Sequence, residues 1–159
     1  MSEQAEPGGQ GGSTGPGVVV LDAAVVTKLI LPEELSARAQ AFCEAALGAG
    51  RRLVAPPTLP VEVATALLQR RRADEITGGE ADAAFAAFLD LGIELPAPAG
   101  LHRAAFALAR AHRLRSAQPA VAVALAQLLE TELWTGDRLL LKSLGSDAPW
   151  VRWIGDAEP

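Results

Sequence analysis

Val18-Val19-Val20-Leu21 is four apolar residues in succession, three of them β-branched, and the run ends abruptly at Asp22. A strand without polar alternation has no face to give to water, so it must be covered on both sides. The rest of the chain supplies cover at regular intervals. Helical spacing continues through Leu31 and is stopped by Pro32. A second helix is predicted over 34–47, with Leu35, Ala39, Phe42 and Ala46 on one face and Gly48 beyond its end. Leu53-Val54-Ala55 reads as a second strand. Pro56, Pro57 and Pro60 then punctuate the approach to a third helix, where Thr58 can cap and Val61, Ala64, Leu67 and Leu68 form an apolar stripe. A helix over 80–91 carries Phe85, Phe88 and Leu89 inward, and Gly92 leads into a brief strand at 93–95. A further helix spans 101–113, and 117–130 is so uniformly apolar that it must be buried nearly all round. Leu133-Trp134-Thr135 is the next strand, 138–144 a short helix, and Val151-Arg152-Trp153-Ile154 the last strand. Strands alternating with helices in this way predict an α/β fold, a three-layer α/β/α sandwich with a mainly parallel sheet of four or five strands.

The chain has 159 residues, which suits one domain with a proper core but not two. Gly dominates the stretch before Val18, so residues 1–17 are expected to be a disordered tail and 18–156 the domain. Glu3 and Glu6 stand where a signal peptide needs positive charge. The longest apolar candidate, 18–31, is broken by Asp22 and Lys28, so no membrane association is expected. The lone Cys43 can form neither an intrachain disulfide nor a Cys-based zinc site, and it fits a reducing, cytoplasmic setting as a small buried residue on a helix. A formal charge of −5 argues against a general nucleic-acid coat protein, which needs many cations against phosphates, but leaves room for local handling of RNA. The richest basic stretch is Gln69-Arg70-Arg71-Arg72, either a solvated helix end or, through Arg70, a substrate contact.

Parallel sheets of this kind place their ligand site at the carboxyl ends of the strands. Asp22 follows the first strand and Asp137 follows Leu133-Trp134-Thr135, so both carboxylates can point into one cleft, and Glu62 could join them from its helix. Carboxylates without sulfur or a neighbouring His suit a hard cation, Mg²⁺ or Mn²⁺, which would polarise a phosphodiester and acidify a water for in-line attack. Without a cation, like charges held close raise one another's pKa. Each acid also has a plainer role: Asp after a strand is a common helix N-cap, and Glu in a first helical turn is favoured by the dipole. His102 and His112 lack Cys or Asp partners at ligand spacing, and there is no Walker-type or Rossmann Gly signature and no Ser nucleophile elbow.

Three segments, in order, resemble the motifs of PIN domains, and the resemblance spans about 18–154. VVVLDAAVVTKLILPEE resembles the family's opening, an Asp ending the first strand before an apolar helix and a Pro-Glu turn. APPTLPVEVATALLQRRR resembles the second motif, with Glu62 as its acid, and ELWTGDRLLLKSLG resembles the last, with Thr135 and Asp137 as Thr-x-Asp. In the third motif, Ala124-Leu125-Ala126 sets a register that puts Pro119 where members carry an Asp; Gln118 is next to it, in a position expected to point elsewhere on the helix. Ala24 likewise stands where a small polar residue often follows the first Asp. The resemblance implies a Mg²⁺- or Mn²⁺-dependent endoribonuclease acting on single-stranded or structured RNA. Asp22, Glu62 and Asp137 would be its catalytic acids, Asp22 and Asp137 its metal ligands, and Thr135 a substrate contact. A compact stand-alone domain is most similar to VapC-like toxins of type II toxin-antitoxin pairs, which implies a cognate antitoxin laid along the helices at 24–31 and 34–47, and a homodimer. Loss of the acid at Pro119 implies impaired activity, or else a catalytically degenerate PIN domain serving as a protein-binding or RNA-binding module.

Overall fold

The computed structural model describes residues 17–158, so the tail expected over 1–17 lies outside the described residues except for Gly17. Strand β1 (Val18–Leu21) is followed by α1 (Ala23–Ile30), α2 (Ser36–Gly48), β2 (Arg52–Val54), α3 (Leu59–Arg72), α4 (Gly78–Asp90), α5 (Leu101–Ala111) and α6 (Gln118–Leu128). Strand β3 (Leu133–Thr135), α7 (Arg138–Leu144) and β4 (Val151–Trp153) complete it, with short 3₁₀ turns at Gly145–Asp147 and Ile154–Asp156. The sheet has four strands in the order β2-β1-β3-β4, all parallel. The fold is therefore α/β with helices on both faces.

β1 is central because its side chains can be absorbed on both sides. Val19 and Leu21 join the core under α1 to α4, with Val25, Ala39, Val63 and Phe88. Val20 points the other way, into the core under α5, α6 and α7, with Ala105, Val123 and Leu140. Each such Val or Leu contributes about 1.5–3 kcal/mol by leaving water. In α6 every residue from Ala120 to Ala126 is buried, as its unbroken apolar sequence demands. Cys43 is buried on α2, and burial pushes its thiol up to about 11, which keeps it protonated and unreactive at neutral pH.

Several local expectations need correction. The strand at 93–95 shrinks to a single bridge, Glu94 to Val54, because Pro96 and Pro98 follow at once and cannot extend a hydrogen-bonded ladder. The buried stripe of α3 is Leu59, Val63 and Leu67, while Val61 and Leu68 are 71% and 63% exposed. The helix is rotated so that Glu62 faces the end of the sheet. Leu89 is also exposed, since α4 packs through Ala84 and Phe88. Thr58 precedes α3 without capping it through its side chain; the hydroxyl donates instead to Glu62 Oε2 at 3.2 Å. Among the described residues, no helix is long and apolar enough to cross a membrane.

Candidate functional site

The order β2-β1-β3-β4 means that the chain runs from β1 outward to β2, then returns to the opposite side of β1 for β3. The reversal leaves a crevice beyond the carboxyl ends of β1 and β3, the place where open parallel sheets bind ligands. Asp22 directly follows β1, and Asp137 follows β3 after one glycine. A side chain there would be tight: a Cβ on Gly136 would stand 3.0 Å from the Ala24 Cβ and 3.1 Å from its carbonyl carbon. The close passage of Gly136 over Ala24 brings the two acids to one cavity of about 430 Å³, lined also by Thr27, Glu62, Gln69, Gln118 and Pro119.

Both aspartates cap helices, and this capping orients them. Asp22 Oδ1 accepts from Val25 N at 2.9 Å, and Asp137 Oδ1 from Leu139 N at 2.9 Å and Leu140 N at 3.0 Å. The plainer N-cap role and convergence on one site are thus compatible. Thr135 ties the pair together. Its hydroxyl, fully buried, donates to Asp22 Oδ2 and accepts from Asp137 N at 2.9 Å, while Gly136 N reaches Asp22 Oδ1 at 3.3 Å. Burial raises the Asp22 carboxyl to about 6, against the pull of the bonds from Thr135, Val25 and Gly136, and the neighbouring Asp137 charge adds to the rise.

Glu62 approaches from α3 on another wall of the cavity, its Oε2 held by Thr58 and its Oε1 accepting from Gln118 Nε2 at 2.9 Å. Gln118 was expected to point away, but it sits in the first turn of α6, and its long side chain reaches across to α3. Helical side chains lean toward the N-terminus, so a first-turn residue projects beyond the helix end. Pro119 occupies the first turn without disturbing it and lines the same cavity. Among the described residues, no three acids, histidines or cysteines are drawn together tightly enough to hold a metal ion as they stand.

Two expected substrate contacts end up elsewhere in role or place. Thr135 is buried behind the acids, where it orients them. Arg70 pairs with Glu33, which also binds Lys28 Nζ at 2.9 Å, and it lines a separate groove with Ile30, Pro32 and Ile76. Its neighbour Gln69 faces the acidic cavity instead.

Fold and site together define an α/β/α protein with an acidic cavity at the switch point of a parallel sheet. The sequence matches no family model and no curated protein.

Proposed function

We propose that the chain is a metal-dependent endoribonuclease of PIN type, the cytoplasmic toxin of a type II toxin-antitoxin pair, with activity impaired at Pro119. The observation that carries this reading is the Thr135 hydroxyl joining Asp22 to Asp137 at the switch point, which gives the Thr-x-Asp motif a physical task. The donor set agrees in kind with a hard cation, since the cavity is lined by carboxylate and amide oxygens and the Thr27 hydroxyl, with no sulfur or imidazole. Asp22 and Asp137 would hold Mg²⁺ or Mn²⁺, Asp137 through Oδ2, which is not engaged by the caps. When bound, the cation supplies the positive charge that polarises a phosphodiester and acidifies water. Glu62, on a separate wall, would orient the attacking water or accept its proton. The antitoxin and the homodimer belong to the same proposal and rest on the sequence resemblance alone.

A second reading is favoured by a specific contact. With Pro119 in place of an acid, Glu62 is occupied by Gln118 and Thr58, an arrangement that suits a PIN-like module which binds RNA or protein and cuts nothing. The two readings separate in a cleavage assay on single-stranded RNA with Mn²⁺. The first expects slow cutting that EDTA and Asp22→Asn both abolish. Cutting that survives both treatments would overturn the site, and no cutting at any enzyme concentration would select the second reading.

A further inference from the structure

We propose, building on the ribonuclease reading, that Arg138 stacked on Trp153 is a backbone-phosphate subsite that holds a single RNA strand beside the acidic cavity. The acids alone would repel a polyanion, so a strand approaching Asp22, Glu62 and Asp137 needs cations fixed close by. Arg138 is the residue after Asp137 and opens α7. Its guanidinium carbon lies 3.8 Å from the centroid of the Trp153 ring. Trp153 ends β4 and pairs in register with Thr135, so the stack stands at the same carboxyl edge of the sheet as the acids.

The shelf beneath this stack is built, not incidental. The Trp153 ring lies so close against Gly155 that no Cβ fits there, and Arg38 reaches from α2 to donate to the Gly155 and Ala157 carbonyls. Trp153 is half-buried and packs against the core under α1 to α4, so the guanidinium rests on a supported ring. Arg138 is exposed, and among the described residues no carboxylate pairs with it; Arg72, Arg103, Arg110, Arg113 and Arg115 are exposed and unpaired too, but only Arg138 adjoins Asp137 and lies over a Trp ring. The ring leaves the N–H groups of the guanidinium without a protein acceptor among the described residues, and an arginine fork of this kind can grip phosphate oxygens. The ring is already engaged by Arg138, so the ligand is a phosphate, not a stacked base. Arg138 is on this account a positioning residue that fixes the strand.

Binding of a fluorescently labelled oligouridylate to the full chain, followed by anisotropy in EDTA so that nothing is cut, tests this. Arg138→Ala is expected to weaken binding about tenfold, as for loss of a charged hydrogen bond. It should also lower the slope of log affinity against log salt by about 0.7, one phosphate contact on a single strand. Arg138→Lys should restore the salt slope but only part of the affinity, because an ammonium keeps the charge and loses the fork. A merely structural role would move the melting temperature and leave the slope alone. Unchanged affinity and slope in Arg138→Ala, with the parent binding, would overturn the subsite and leave the ribonuclease reading standing; no binding by the parent would overturn both.

Discussion

Asp22→Asn is expected to raise the melting temperature of the metal-free protein at neutral pH while abolishing the proposed RNA cleavage. The sign follows from the raised carboxyl. Asp22 titrates near 6 in the folded protein against 3.8 for the ordinary group, so the folded state holds the proton more tightly than the unfolded chain. Its contribution is fully present below the unfolded value and is lost as pH rises through about 6, above which a charged carboxylate stays partly buried at a net cost. A shift of roughly two units corresponds to at most about 3 kcal/mol, and partial solvent access at the cavity mouth reduces that to about 1–2 kcal/mol. Asparagine keeps the oxygen that accepts from Val25 and Gly136, while its amide nitrogen would donate to the Thr135 hydroxyl, whose lost acceptor offsets part of the gain. A gain of about 1–2 kcal/mol shifts the melting temperature by about 3–6 °C in a chain of this size. Thermal unfolding followed by circular dichroism at about pH 5 and about pH 7.5 checks it: the advantage of the variant should grow with pH. A variant less stable than the parent at both values would show that the aspartate is held for stability and not for a ligand.

Pro119→Asp carries the largest expected gain of function. Pro119 faces the cavity from the first turn of α6, so an acid there would join Asp22, Glu62 and Asp137 with no change of backbone register. The turn tolerates the exchange, because the missing N–H of proline is unpaired at that position and an aspartate is favoured by the helix dipole. A fourth carboxylate also competes for Gln118, which now occupies Glu62. Loss of one supporting group typically costs about 10–100-fold in metal affinity or activity, and restoring it should return a comparable factor. Calorimetry should show tighter Mn²⁺ binding, and RNA cleavage should rise in step. If both stay unchanged, the chemistry has no use for an acid at this position.

The parts of the fold legible in the sequence were those written in residues close together. Val18 to Leu21 had to be covered on both faces because nothing in it can face water, and Asp22 and Asp137 could be placed just beyond strand ends because each follows a short strand-like run. The all-apolar stretch of α6 announced its own burial. What escaped were choices made between distant elements. The face of α3 depends on which neighbours it meets: Leu67 is buried as expected, but Leu59 and Val63 join it in place of Val61 and Leu68, with Glu62 turned to the cavity. Gln118 and Glu62 are 56 residues apart, so their bond has no local trace. The same holds for Arg70, drawn to Glu33 across 37 residues, and for Arg138 on Trp153. Thr135 was singled out as part of a motif, but its task as the link between two aspartates is visible only where β1 and β3 lie side by side.

The proposed ribonuclease needs Asp22 and Asp137 to hold one cation at the carboxyl ends of β1 and β3. Paramagnetic broadening by Mn²⁺ of the amide resonances of the ¹⁵N-labelled full chain tests it most directly, because it reports proximity even when binding is weak. The amides of Val25, Gly136, Leu139 and Leu140, which donate to these two carboxylates, should broaden first and together, and Asp22→Asn should remove the effect. Broadening that begins at the Arg51–Glu132 end of the sheet, or that spreads over exposed acids with these four amides unaffected, would contradict the site.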